Sequence, residues 1–219
     1  MILLDFERIG PSIPYILEGI QVSLSYTVVS LCLGFFFGFF LALFKISRIP
    51  PLRWFGHFYT SIFRGTPLLV QLMLIYYATP QLIGYNISIW EAGVLSFTLN
   101  STAYLSEHFR AGIESIDKGQ TEAELALGIP YSLMMRDIIL PQALRICLPS
   151  LVNESIDLLK ESALISVIGG ADIMRRATIV ANEKYLFFEP FLIAAGLYYV
   201  LVLMLTFISA RVEEKMKRS

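Results

Sequence analysis

The residues of this 219-residue chain best placed to do chemistry sit close together in an otherwise apolar stretch: Asn153, Glu154, Asp157, Lys160 and Glu161. On a helix turning 100° per residue, Glu154 and Glu161 fall within about 20° of one another. Asp157 lies about 60° from Glu154, and Lys160 a further 60° or so round, which lets Asp157 and Lys160 pair at i,i+3 spacing. Two carboxylates on one stripe are then left without an internal partner. Facing a polar cavity, they can hold a cationic ligand; facing a neighbouring helix or a second subunit, they tie the segment to it. Charge-neutralising substitution separates the two roles.

Other kinds of chemistry find little support. Cys32 and Cys147 have no CxxC spacing and read as small apolar fillers. His57 and His108 are isolated, so no metal site is expected. No GxxxxGK[ST] loop occurs, so the chain itself is not expected to bind or hydrolyse ATP. A net charge of −1 gives no ground for a nucleic-acid partner.

The elements that position these residues read as membrane spans. Hydrophobic residues make up 56% of the chain, and several uncharged runs approach or exceed the roughly 20 residues that cross a bilayer core. We expect an all-α polytopic membrane protein with five transmembrane helices, at about 20–44, 58–78, 88–113, 149–168 and 190–210. The first, from Ile20 to Phe44, has no charge and reaches about 37 Å at 1.5 Å per residue. It is expected to be retained and not cleaved as a signal peptide. Gly65-Thr66-Pro67 interrupts the second near its start, and Glu107 and Arg110 pair at the end of the third. The fourth, which carries the acidic stripe, is the weakest by hydropathy. Of the 17 Lys and Arg, 12 fall on the side of the Lys45–Arg53 loop and the C-terminal end, with Arg211, Lys215, Lys217 and Arg218 as anchors. That side is therefore expected to be cytoplasmic, and the N-terminus outside.

Between the third and fourth spans lies a charged, helix-prone island, 114–148. Thr121, Glu122, Ala123, Leu125, Ala126 and Leu127 favour a helix or its cap. Gly128 stops it by accepting the left-handed conformation, and Pro130 starts the next one. The expectation is a cytoplasmic helix, a tight turn and a helix, with Ala123 and Ala126 giving one face small enough for another protein to approach.

This constellation, Glu122-Ala123, Gly128 and Ile139-Leu140-Pro141, resembles the cytoplasmic coupling loop of permease subunits in ABC importers. Further blocks resemble the polar amino-acid branch of that family. They are Phe63 to Leu68, Ala103 to Glu107 with Phe109-Arg110, Gly119 to Leu148, and Asn153-Glu154 with Leu158 to Ser162. Two positions depart: Glu124 replaces a second alanine, and Ala163 a common hydroxyl residue. The resemblance implies a permease that pairs with a second copy or a paralogue and sits on two ABC ATPase subunits, which bind the ATP; it implies no cofactor in the chain itself. It also implies a bacterial cytoplasmic (inner) membrane, contact with membrane lipid, and an extracytoplasmic amino-acid-binding protein delivering the substrate. Expected substrate contacts are Glu154, Glu161, Asn153, Lys160, Asp157, Asn100, Tyr104 and Thr66, with Ser101 and Thr102 as further hydroxyl groups; Lys160 suits the substrate carboxylate if Asp157 leaves it available. Expected coupling residues are Glu122, Ala123, Ala126, Gly128 and Pro141. The two carboxylates lean toward arginine, lysine or histidine as substrate. The alternatives are glutamine or another neutral polar amino acid, an ion-coupled carrier or channel, and a membrane anchor that only docks a cytosolic partner.

Overall fold

Proline and glycine punctuate the chain into helices, and every regular element among the described residues is helical. The computed structural model describes residues 5–217. Of the expected C-terminal anchors, Arg218 lies outside the described residues, as do the side chains of Lys215 and Lys217. Two short helices, α1 (Phe6–Ile9) and α2 (Ile13–Leu17), lead into α3 (Gly19–Ile46). Helices α4 (Pro50–Gly65), α5 (Leu68–Ile83) and α6 (Ile89–Glu114) follow. The island forms α7 (Lys118–Ala126), α8 (Tyr131–Met134) and a π turn at Met135–Ile139; α9 (Leu140–Glu161) then runs into a 3-10 segment, Ser162–Ile168. The chain closes with α10 (Ile173–Lys184) and α11 (Phe188–Lys217).

Small residues bring α3 and α6 together along much of their length. Ser30, Gly34, Gly38 and Ala42 of α3 are buried at four-residue spacing, the pattern that lets helix backbones approach closely. A Cβ added at Gly38 would lie 2.9 Å from Leu105 Cβ, so nothing larger fits without shifting α6. At the end of this seam the Lys45 side chain is fully buried and donates to Ser106 Oγ and Glu107 Oε1, both at 2.7 Å. Glu107 also takes the expected bond from Arg110, at 2.6 Å.

The expected second span is not one rod. Helices α4 and α5 meet at 99°. Pro67 has no N–H to continue the ladder and forces the preceding residue out of the helical region, so Thr66 sits at φ −123°, ψ 143°. Among the described residues, two helical stretches are long and apolar enough to cross a membrane, Phe6–Ile46 and Phe188–Arg211, with the bent α4–α5 pair as a third. Helices α6 and α9 occupy the positions of the expected third and fourth spans, though α9 begins nine residues earlier, inside the expected island.

The mixed-charge segment between the expected fourth and fifth spans, 169–189, holds α10. Its buried Ile173, Ala177 and Val180 pack with Ile9, Ile16 and Leu159 into one core. Asp172 caps it from a fully buried position: Oδ1 accepts from Arg175 N at 2.9 Å, and Oδ2 accepts from Met174 N and from the Tyr198 hydroxyl at 3.2 and 3.1 Å. Burial pushes the Asp172 carboxyl above its ordinary range.

Candidate functional site

Four-residue spacing on α6 puts Asn100, Tyr104 and His108 on one face, and the facing turns of α9 carry Ser150, Asn153, Glu154, Asp157, Lys160 and Glu161. Between them lies a cavity of about 550 Å³, also lined by Leu164. Seven of the eight expected substrate contacts thus share one space.

The charges inside it are unequal. Lys160 Nζ lies 2.6 Å from Asp157 Oδ1, so the ammonium is engaged. Glu154 is 9% exposed, and its Oε2 sits 3.9 Å from His108 Nε2, beyond ordinary hydrogen-bond length. Glu161 is half-buried and shares the wall with Glu154. Three carboxylates against one ammonium leave a formal excess of two negative charges when His108 is neutral. A buried carboxylate is costly unless a cation or donors meet it, so this lining favours a ligand that brings positive charge.

Three expectations are corrected by the packing. Thr66 is exposed and does not line the cavity: its hydroxyl donates to Ile62 O at 2.9 Å and accepts from Gln71 at 2.9 Å. Thr102 lines a separate apolar groove between α3, α4 and α6, whereas Ser101, packed against Gly34 of α3, stays beside the Glu154 carboxylate. His108 is not isolated, since it faces Glu154 across the cavity. Its signal was the four-residue spacing to Tyr104, not any neighbouring Cys or His.

Gln71, a neutral amide in the apolar run Leu68–Ile75, was also missed. Its Nε2 reaches the carbonyls of Phe63 and Thr66, freed by the α4–α5 break, at 2.9 and 3.0 Å. Asn100 Nδ2 donates to the same Phe63 carbonyl at 3.0 Å and to Gln71 Oε1 at 3.1 Å. The cavity wall is therefore tied to the bend. Arg64, one turn away, lies over the Tyr104 ring at 5.1 Å.

The second candidate surface is the island. Helix α7 ends with Gly128 N donating to Leu125 O and Ile129 N to Glu124 O, both at 3.1 Å, which is the Schellman closure; Gly128 adopts φ +76°. Glu122, Ala123 and Ala126 are exposed, as is Pro141 in the first turn of α9. Leu125, Leu127, Tyr131 and Leu133 are exposed beside them, an apolar patch on the turn. Glu124 faces inward at 8% exposure, so its departure from the family pattern leaves the outer face unchanged. Gln142 Nε2 donates to Gln120 Oε1 at 2.9 Å, joining α7 to α9.

A family profile described as binding-protein-dependent transport system inner membrane component matches residues 34–218. The chain is 52% identical over 214 residues to the arginine transport system permease protein of Bacillus subtilis, covering 98% of each chain. It is 55% identical over 206 residues to the putative glutamine transport system permease protein of Rickettsia typhi, covering 94% of each. The solved structure of an amino acid ABC transporter with histidines superimposes with a TM-score of 0.92 at 41% identity, covering 98% of this chain and all of the other.

Proposed function

The chain belongs to the binding-protein-dependent transport system inner membrane component family, and from that premise we propose that it is the permease of an importer selecting basic amino acids. The coarser function is an amino-acid ABC transporter permease, an all-helical membrane protein. The reading of a basic substrate rests on one observation: among the described residues that line the cavity, Glu154 and Glu161 share a wall where the one ammonium, Lys160, is already held by Asp157, with the Arg64 guanidinium set over the Tyr104 ring outside the lining. A guanidinium or ammonium side chain supplies the missing charge, while Asn153 and Tyr104 offer neutral hydrogen bonds to the rest of the amino acid.

The exposed Ala123 and Ala126 face, with the apolar patch at Leu125 and Leu127, suits insertion into a groove on a separate ATPase subunit. There, ATP-driven closure would pull on α7 and rock the helices between inward- and outward-facing states. An extracytoplasmic binding protein would deliver the substrate, and a second copy or paralogue would complete the pathway. A second reading, a glutamine permease, is favoured by the Rickettsia relative and by the amides of Asn100 and Asn153 in the cavity. The test is uptake of arginine, lysine, histidine, glutamine and glutamate into vesicles holding the chain with its ATPase. Uptake of the basic set supports the proposal. Equal or preferential uptake of glutamine favours the second reading, and uptake independent of ATP excludes both.

A further inference from the structure

A second polar cavity, of about 760 Å³, opens where the ends of α3 and α6 meet the starts of α4 and α7. Its charge is the reverse of the first: Lys45, Arg53, Arg110 and Lys118 line it, with His57, against Glu114. Two of these cations are accounted for. Lys45 pairs with Glu107, and Arg110 with Glu107 and Glu114. Arg53, His57 and Lys118 are exposed, and among the described residues no carboxylate lies within 4.0 Å of any of them. Asp117, next to Lys118, is occupied in capping α7 through Gly119 N at 2.7 Å. The unneutralised positive charge therefore sits at the rim, on two different elements.

The same stretch of α4 carries the opposite character one row round. Arg53 and His57 are four apart and face the cavity; Trp54 and Phe58, also four apart, are 67% and 50% exposed with rings stacked at 5.2 Å. An indole beside cations near the start of an amphipathic helix is the arrangement found where protein meets the headgroup layer. Cations and aromatic rings in adjacent rows match a molecule with an anionic head and hydrocarbon tails. We infer that Arg53, His57 and Lys118 bind the phosphate of an anionic phospholipid whose acyl chain runs along Trp54 and Phe58.

The site reads out through Trp54, because the sequence has two tryptophans and Trp90→Phe leaves one. The full chain carrying that change is placed in phosphatidylcholine vesicles. Increasing fractions of bromine-labelled phosphatidylglycerol or bromine-labelled phosphatidylcholine are then added. The expected result is stronger Trp54 quenching by the phosphatidylglycerol at equal fraction, weakened by added salt. Arg53→Gln with Lys118→Gln should lower the apparent phosphatidylglycerol affinity by about fivefold per cation removed, with quenching by labelled phosphatidylcholine unchanged. Lys118→Gln alone, an exposed change in the first turn of α7, gives the single-cation effect should the double variant not insert. Equal quenching by the two lipids, or a preference that survives both variants, overturns the inference. So does its loss on adding millimolar inorganic phosphate at constant ionic strength, which would assign the cations to a soluble anion.

Discussion

Asn100 Nδ2 lies 3.1 Å from Gln71 Oε1 and 3.0 Å from the Phe63 carbonyl, so a residue of the cavity wall is held by the two arms of a broken helix. Any change in the 99° angle between α4 and α5 must pull on Asn100. The bend is thus a mechanical part of the site, although neither Gln71 nor Thr66 lines it.

Replacing Gln71 with leucine keeps the apolar volume but takes the side-chain donor from the Thr66 carbonyl and the Oε1 acceptor from Asn100 Nδ2, leaving the Phe63 carbonyl to Asn100 alone. Buried polar groups left unmet cost about 1–3 kcal/mol each. We expect a lower melting temperature for the detergent-solubilised chain and slower uptake, with the order of preference among substrates kept. A reordered preference would place Gln71 in direct contact with substrate.

Lys45 and Glu107 make a charge pair whose ammonium has no exposure to solvent. Removing one partner of such a pair strands the other, a cost of about 3–5 kcal/mol when no second partner is present; Glu107 keeps Arg110, so Lys45→Met should fall below that range. Lys45→Met with Glu107→Gln should recover part of the loss. Thermal unfolding of the two single variants and the double variant measures the coupling, and strictly additive losses would show that the pair contributes nothing.

Gly128 sits at φ +76° with open space around its missing Cβ, so the obstacle to a side chain there is backbone strain alone. Gly128→Asn should be tolerated and Gly128→Val should not, since β-branched residues resist the left-handed region. With the ATPase bound, Gly128→Val should release hydrolysis from transport. Full coupling in the valine variant would remove the turn from the transmission route.

Much of this was readable from residue types. The acidic stripe follows from a seven-residue interval on one helix, and the end of α7 from a glycine before Ile129-Pro130. The bend was half legible: Pro67 announced a break, but its angle depends on Gln71 and Asn100 satisfying carbonyls from different elements, which no local pattern encodes. Helix α10 was not drawn from the sequence because its buried face, Ile173, Ala177 and Val180, is interleaved with charges, and hydropathy alone shows only a mixed segment there. His108 was overlooked because a lone imidazole gains meaning only from the Glu154 carboxylate that α9 brings opposite it. Thr102 was misplaced because neighbours on a helix point 100° apart, and the cavity row of α6 is Asn100, Tyr104 and His108.

The central claim is that the Glu154 and Glu161 carboxylates choose a cationic substrate. Its most direct measurement is the ratio of ATP-driven kcat/KM for arginine to that for glutamine, in the parent protein and in Glu154→Gln with Glu161→Gln. A hydrogen bond to a charged group is worth about 1.5–3 kcal/mol. The ratio should therefore fall by about tenfold or more, with glutamine uptake largely kept. An unchanged ratio, or equal loss for both substrates, would contradict the account.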